Sequence, residues 1–297
     1  MATFAIGPPG ALVPFRAPDP SYTSPLVKLG ATHELSGPHR VRDVTGFLRT
    51  ITLRLPPDLT AEAYSALEAL FVLPDGPYRF VDPTRRNLLT ANQSTGTGAL
   101  RTTEGWSAPA QGTITSDMAQ ARSGTRSLKW DTVTSLTLTG RGVYLPGPAG
   151  TPDSTWAAVL PSTVYTFSAY VRANAAITMQ AVIDWRDVTG ATISTDSGTG
   201  VSVSTTDWST RLVCANKTSP STAAYAVPAV LDSVAPSAIR QLWVDDPQLE
   251  QAAAASNAVL GTGVPLVSID SLTPDYANYA YDANPPLLGA ELVLLEL

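Results

Sequence analysis

Residues 164–172, VYTFSAYVR, decide the fold class of the middle of this chain. The odd-numbered positions from Tyr165 to Val171 are all apolar or aromatic, while the even-numbered positions from Thr166 to Arg172 include Thr, Ser and Arg. Successive side chains of a β-strand point to opposite faces, so this period of two predicts a strand with one face in a core. The segment is typical of a half-buried antiparallel strand.

Other short strands are predicted on both sides of this segment, separated by turn residues and without a helical period. They are residues 113–115, 127–131, 136–138, 178–184, 202–205, 211–214, 223–231 and 239–244. Many short strands with frequent turns indicate an antiparallel β-sandwich or jelly roll.

The tryptophans mark the limits of this β-rich segment. All six fall between residues 87 and 250, and the flanks have none. The sequence therefore predicts one domain inserted into another, with the insert at 86–252 and the second domain formed by 1–85 together with 253–297. Insertion is tolerated best in an exposed turn, and Asp82-Pro83 supplies one.

The first flank contains the one convincing helix of the sequence. Thr60 is the expected N-cap, and Glu62 lies in the first turn, where the helix dipole favours an acidic side chain. Apolar residues recur on one face from Ala63 through Leu67 to Phe71, which predicts packing on a sheet. Strands are predicted at 26–29, 48–55 and 78–81. The expected fold class is therefore mainly all-β, a domain with one helix that is split by an inserted antiparallel sandwich.

The chain ends on a short apolar strand, Glu291–Leu297. Without a partner it would be an edge prone to aggregation. We expect Leu292, Leu294 and Leu297 to be assembly residues, buried either in the sheet of the first flank or against another subunit.

Charge and composition exclude several classes of function. The net charge of −6 over 297 residues argues against nucleic acid as a partner, because neutralising phosphates needs clustered Lys and Arg. The single cysteine, Cys214, excludes an intramolecular disulfide.

No apolar run approaches the roughly 20 residues of a membrane helix, so membrane insertion is not expected. The first residues, MATFAIGPPG, lack the basic start of a secretory signal, which predicts a protein made in the cytoplasm.

Four segments carry a resemblance to a known class of modules. They are YRFVDPTRRNLL (78–89), SGTRSLKW (123–130), VYTFSAYVR (164–172) and IRQLWVDDPQLE (239–250). With them, residues 87–251 resemble the carbohydrate-binding jelly rolls that accompany glycoside hydrolases. The resemblance implies a jelly-roll fold and a role in glycan binding.

The flanks resemble the minor and distal tail proteins of long-tailed phages that infect actinobacteria. This resemblance rests on FLRTITLRLPPDLTAEAYSALEALFVLPDGPYRFVDP (47–83) and on a return to the tail-type fold at 257–297. It implies a homo-oligomeric ring at the tail tip, made in the host cytoplasm and located in the virion tail. Such a ring contacts tube subunits and baseplate or fibre proteins, and the insert would display a glycan-binding surface to the host.

Tryptophans of the insert are candidates for stacking on sugar rings, whose C–H groups suit an aromatic face. Trp156 and Trp208 follow loop-like residues, and Trp185 lies at a strand end beside Arg186. These four residues are the predicted carbohydrate site, against the alternative that each tryptophan belongs to a core.

The resemblance also implies a structural calcium, because many jelly rolls of this class hold one between their first and last strands. Asp245 and Asp246 are the expected ligands, and calcium needs six to eight oxygen atoms. Family members often place an acid after the opening Asn-Leu-Leu, whereas this chain has Asn92, Gln93 and Ser94. The alternative is a solvated turn at a strand end, and no other cofactor is expected.

An enzyme is not expected. Glycoside hydrolysis needs two carboxylates across a cleft, and the insert has only two glutamates, Glu104 and Glu250, near its ends. Together, the two resemblances imply a virion tail-tip subunit that displays a host-adhesion module. It leaves open a purely architectural tail protein without glycan binding, and a polysaccharide-binding protein unrelated to virions.

Overall fold

The structure is a computed structural model. It describes residues 3–16, 22–29, 32–34, 40–42, 46–73, 76–95, 105–108, 112–132, 142–145, 152, 155–234, 240–275 and 287–297. Antiparallel strands dominate it, which confirms the mainly all-β fold class. The predicted strand at 136–138 and the side chain of Glu104 lie outside the described residues.

Twenty strands and two helices follow one another along the described chain. They are β1 (Phe4–Gly7), β2 (Val13–Phe15), β3 (Leu26–Leu29), β4 (Thr32–Glu34), β5 (Arg40–Arg42), β6 (Gly46–Thr60), α1 (Ala61–Val72), β7 (Tyr78–Val81), α2 (Ala91–Thr95), β8 (Gly112–Asp117), β9 (Ser127–Thr132), β10 (Gly142–Tyr144), β11 (Ala157–Ala158), β12 (Val164–Ala173), β13 (Thr178–Arg186), β14 (Thr192–Ser197), β15 (Val201–Ser202), β16 (Thr210–Thr218), β17 (Tyr225–Asp232), β18 (Gln241–Glu250), β19 (Leu266–Asp275) and β20 (Leu287–Glu296).

The chain divides into two compact units. Unit 1 comprises residues 3–81 and 265–297, and unit 2 comprises residues 82–264. The predicted insert, 86–252, lies within unit 2. The assignment of the units to tail assembly and to carbohydrate binding stays a prediction.

Unit 1 is built on a seven-stranded antiparallel sheet with the order β2-β1-β7-β19-β20-β6-β3. The C-terminal strand β20 lies between β19 and β6, so it completes the sheet of its own unit. Leu292 and Leu294 are fully buried there and are not available as contacts for another subunit. Leu297 is 72% exposed and is the one predicted assembly residue of the three that a partner could reach.

Helix α1 begins where the sequence predicts. The Thr60 hydroxyl accepts a hydrogen bond from the amide of Ala63 at 3.1 Å, which confirms the N-cap. Leu67 is fully buried against the sheet. Phe71, which we expected on the same buried face, is 44% exposed. Since α1 ends at Val72, no further turn of helix covers this ring.

Unit 2 is a sandwich of two antiparallel sheets. One sheet has the order β10-β17-β13-β14, with β11 added to β17 and β15 to β13, and the other has the order β16-β12-β18-β9-β8. Tyr165 on β12 and Trp185 on β13 meet in the interior of the sandwich, with their ring centroids 5.8 Å apart. Burial of such aromatic side chains supplies much of the hydrophobic stabilisation of a small core.

The segment after β18 belongs to unit 2 because it is hydrogen-bonded to the start of that unit. The Asn87 side chain donates to the carbonyl of Val259 at 3.1 Å. The amide of Gly261 donates to Ser94 Oγ at 2.8 Å, and the amide of Gly263 donates to the carbonyl of Leu89 at 2.8 Å. Unit 2 therefore extends to Val264, beyond the boundary at 252 that the sequence predicts.

These contacts predict different stabilities for two fragments. Residues 82–264 should show a cooperative melt with a β-type circular dichroism spectrum. The shorter fragment 86–252 should melt roughly 5–10 °C lower, because it loses several hydrogen bonds worth about 1 kcal/mol each. Equal melting temperatures for the two fragments would show that residues 253–264 do not stabilise unit 2.

Candidate functional site

A cleft lies on the outer face of the six-stranded sheet of unit 2. Strand β13 determines its composition because alternate residues of a strand point to opposite faces. Ile183 and Trp185 point into the sandwich and are fully buried, whereas Val182, Asp184 and Arg186 line the cleft. We call it the β13 cleft.

The β13 cleft has a volume of about 380 Å³. Its apolar floor and its polar residues come from four neighbouring strands. The lining residues are Tyr144, Val182, Asp184, Arg186, Thr192, Thr195, Val227, Ala229 and Leu231. The register of the sheet brings them together, since Asp184 pairs with Thr195 on one side and with Val227 on the other.

Asp184 is the hydrogen-bonding centre of the cleft. Its Oδ2 accepts from Arg186 Nε at 2.9 Å and from Thr192 Oγ1 at 3.2 Å, and its Oδ1 accepts from Thr195 Oγ1 at 3.1 Å. The carboxylate is therefore held in one orientation by two hydroxyl groups and one guanidinium group, and both hydroxyl groups come from the exposed strand β14.

The Arg186 side chain is fixed by a second set of contacts. Its Cζ lies 4.4 Å from the centroid of the Trp156 ring, a cation–π contact. The Trp156 ring in turn packs edge-on against Tyr225, with ring centroids 5.6 Å apart. Arg186 is only 8% exposed, so the charge that faces Asp184 is largely removed from solvent.

The structure corrects the expected exposure of two tryptophans. Trp156 is 1% exposed, because Arg186 and Tyr225 pack against it, and it is not a free stacking surface. Trp185 is fully buried, because it points to the core face of β13, where its Nε1 donates to Asp196 at 2.8 Å. Trp208 is partly exposed in the turn before β16 and does not line the β13 cleft.

Of the predicted carbohydrate site, the structure brings together Trp156 and Arg186. Four other lining residues were not predicted from the sequence: Asp184, Thr192, Thr195 and Tyr144. The segment 178–186, TMQAVIDWR, carries the signal for Asp184, since its period of two separates Asp184 and Arg186 from Trp185. Thr192 and Thr195 could not be predicted in the same way, because their proximity to Asp184 depends on the pairing of β14 with β13.

The β13 cleft holds a single carboxylate, that of Asp184, among its described lining residues. Two carboxylates on opposite sides of a bond are the usual requirement for glycoside hydrolysis. In the described ranges, no three His, Cys, Asp or Glu side chains gather where they could hold a metal ion, and no helix is long and apolar enough to cross a membrane.

Asp245 and Asp246 are engaged by protein donors. Asp245 Oδ2 accepts from the amides of Arg122 and Ser123 at 2.7 and 3.1 Å, and its Oδ1 accepts from the amide of Asp246 at 2.9 Å. Asp246 pairs with the Arg122 guanidinium and accepts from Ser123 Oγ. These donors compete with a cation for the same oxygen atoms, so the donor set does not favour calcium, and the predicted ion stays untested.

Asp245 is almost completely buried at a bulge in β18. Burial, together with the neighbouring charge of Asp246, raises the pKa of Asp245 to about 6, although three backbone amides act in the opposite direction. The folded protein therefore binds this proton more tightly than the unfolded chain does, for which the ordinary value is 3.8.

No protein-family model and no curated protein sequence matches the chain. Among solved structures, it is similar to the CBM22-1 xylan-binding domain of Paenibacillus barcinonensis Xyn10C, with 22% identity and a TM-score of 0.39 over 52% of this chain and 90% of that domain. It is also similar to the C-terminal family 22 carbohydrate-binding module of Clostridium thermocellum Xyn10B, with 16% identity and a TM-score of 0.40 over 55% of this chain and 94% of that module.

A third similar structure is the enzymatically active domain of tailspike protein 4 of bacteriophage CBA120. Identity is 14% and the TM-score is 0.39, over 58% of this chain and 22% of that one. Because all three TM-scores lie below 0.5, the similarities establish neither a family nor an activity. The resemblance of the flanks to actinobacteriophage tail proteins stays a prediction.

The pKa of Asp245 predicts a pH dependence of stability. Because the folded pKa lies above the unfolded one, this group's contribution is greatest below about pH 4 and is lost as the pH rises through about 6. The free energy of unfolding, measured with urea at several values between about pH 4.5 and 7.5, should fall more steeply with rising pH for the wild type than for Asp245→Asn. Asp187→Asn, at a partly exposed site, should keep the wild-type dependence of the unfolding free energy on pH. A wild-type-to-Asp245→Asn difference that does not vary with pH would contradict this assignment.

Proposed function

We propose that unit 2 binds a carbohydrate in the β13 cleft. The observation that carries the proposal is the combination of an apolar floor with a fixed carboxylate and hydroxyl groups in one cleft. Sugars present weakly polar C–H faces beside hydroxyl groups, so they bind where apolar surface and oriented polar groups adjoin. A volume of about 380 Å³ suits one or two sugar units.

The floor contributes apolar contact. Val227, Ala229 and Leu231 follow one another at every second position of β17, and Tyr144 is opposite Ala229 on β10. Tyr144 is partly exposed and is the aromatic side chain among the described lining residues. It replaces the buried tryptophans as the stacking candidate.

The polar groups contribute orientation. Asp184, held by Arg186, can accept hydrogen bonds from sugar hydroxyls, and Thr192 and Thr195 can donate or accept. Because Trp156 fixes Arg186, little side-chain entropy is lost when a ligand binds. Trp156 thus supports the site as a positioning residue for Arg186.

Binding to a panel of plant and bacterial polysaccharides, followed by calorimetry with the best ligand, tests the cleft. Thr195→Val removes a hydroxyl without changing side-chain shape and should weaken binding about fivefold to tenfold, and Asp184→Asn should weaken it further. Ser194→Ala is the matched control, because Ser194 lies on the same strand but not in the cleft. If no polysaccharide binds, or if both cleft variants bind like the wild type, carbohydrate binding in this cleft is refuted.

We further propose that unit 1 is an assembly domain, specifically a virion tail-tip subunit that forms a homo-oligomeric ring and contacts tube, baseplate or fibre proteins. The supporting observation is exposed apolar surface on this unit. Leu26 and Val27 on the edge strand β3 are 56% and 51% exposed. Phe71, Leu73 and Leu297, which are 44%, 51% and 72% exposed, line one shallow cleft, and Val72 between the first two is 72% exposed. Clustered apolar surface often marks an interaction site.

Mass photometry of the full-length chain tests assembly. The wild type should form a discrete oligomer, and Val72→Asp combined with Leu297→Asp should shift it towards the monomer, because charges at an interface lose their hydration. Val188→Asp, at an exposed position of unit 2, is the control and should assemble normally. A monomeric wild type that still binds a polysaccharide would support a polysaccharide-binding protein unrelated to virions. An oligomer without glycan binding would support an architectural tail protein.

A further inference from the structure

Arginines surround Tyr170 on the outer face of the five-stranded sheet. Tyr170 and Arg172 share this face because they are two residues apart on β12, and β16 places Arg211 directly opposite Tyr170. Arg172 and Arg211 are thus diagonal neighbours across the two strands, a relation that lets long side chains reach one another. The register therefore places both arginines on one face of the sheet, next to Tyr170.

Both guanidinium groups are held by uncharged partners. Arg211 donates to Ser168 Oγ at 2.8 Å, and its Cζ lies 5.2 Å from the centroid of the Tyr170 ring. Arg172 donates to Gln120 Oε1. The Nε atoms of both arginines are buried without a hydrogen-bond acceptor. Their orientation is therefore fixed by hydrogen-bond partners that carry no charge.

Three acidic side chains of this region, those of Asp207, Asp245 and Asp246, form no ion pair with Arg172 or Arg211 within 4.0 Å. Asp246 pairs with Arg122 at 2.5 Å. Asp245 accepts from backbone amides and is buried. Hydrogen bonds from Ser209 and Ser204, and to a smaller extent the charge of Arg172, lower the pKa of Asp207. Asp207 is exposed, so water and salt screen its attraction to Arg172.

In the part of the chain that the structure describes, the ion pairs within 4.0 Å do not include Arg172 or Arg211. Two neighbouring like charges repel each other, and this repulsion is relieved when an anion lies between them. The planar guanidinium fork suits the oxygen atoms of a carboxylate, sulfate or phosphate.

We infer that Arg172 and Arg211 form a binding site for one oxyanion group, a carboxylate, sulfate or phosphate ester, on a polymeric ligand. Two arginines suit a single anionic group, and the net charge of −6 argues against a nucleic acid backbone as the ligand. The site lies on the sheet that does not carry the β13 cleft, so it is independent of carbohydrate binding in that cleft.

Biolayer interferometry with the full-length chain at low ionic strength tests the inference. The probes are polygalacturonate for carboxylate, dextran sulfate for sulfate, polyphosphate for phosphate and neutral dextran as the control. At least one polyanion should bind and dextran should not, and the binding should weaken as salt screens the charges. Which polyanion binds most tightly identifies the oxyanion.

Variants distinguish binding at Arg172 and Arg211 from nonspecific attraction to other basic side chains of the protein. Arg172→Gln and Arg211→Gln should each weaken polyanion binding about tenfold. Arg172→Lys and Arg211→Lys, which keep the charge but lose the fork, should give smaller losses. Arg54→Gln, the same charge change at an exposed site of unit 1, should have no effect.

The double variant Arg172→Gln with Arg211→Gln should keep the wild-type melting temperature and any polysaccharide binding in the β13 cleft. If it misfolds, the lysine variants decide the question, because they preserve the local charge. The inference is overturned if the wild type binds none of the three polyanions. It is also overturned if folded arginine variants bind as tightly as the wild type, or if Arg54→Gln weakens binding equally.

Discussion

The contact between Tyr165 and Trp185 joins the two sheets of unit 2, and the positions of both proposed binding surfaces follow from it. Because side chains alternate along a strand, an inward Trp185 requires that Asp184 and Arg186 face outward on β13. On the other sheet, the inward face of β12 carries Phe167, and the outward face carries Arg172. One aromatic core therefore presents a polar surface on each side of the sandwich.

The two surfaces differ in how their charges are compensated. In the β13 cleft, Arg186 Nε lies 2.9 Å from Asp184 Oδ2, so the two charges compensate each other. The hydroxyl and carboxylate oxygens of this cleft therefore suit an uncharged, hydroxyl-rich ligand. On the opposite sheet, Arg172 and Arg211 have neutral hydrogen-bond partners, and in the described ranges neither forms an ion pair within 4.0 Å. A ligand that is both a polysaccharide and an acid could engage the two faces through different chemistry, and the cleft and arginine variants distinguish these contributions.

Unit 1 depends on strand pairing between the two ends of the chain. The C-terminal strand β20 is inserted between β6 and β19, and Leu292 and Leu294 complete the core with Leu53. Strands β7 and β19 are also paired, with Tyr78 opposite Val267. The chain therefore leaves and re-enters this sheet on neighbouring strands, which explains how 183 intervening residues, 82–264, are accommodated without interrupting it.

The sequence by itself determined the mainly all-β fold class, the N-cap at Thr60 and the alternation that separates the two faces of β12 and β13, because these depend on residues close together in the chain. It also predicted a role for Arg186, which lines the β13 cleft. Tertiary structure decided that Trp156 is covered by Arg186, that Thr195 reaches Asp184, and that Arg172 and Arg211 are neighbours without a paired carboxylate. A period of two specifies which side chains share a face, whereas strand pairing and packing decide what covers that face and which distant residues adjoin it.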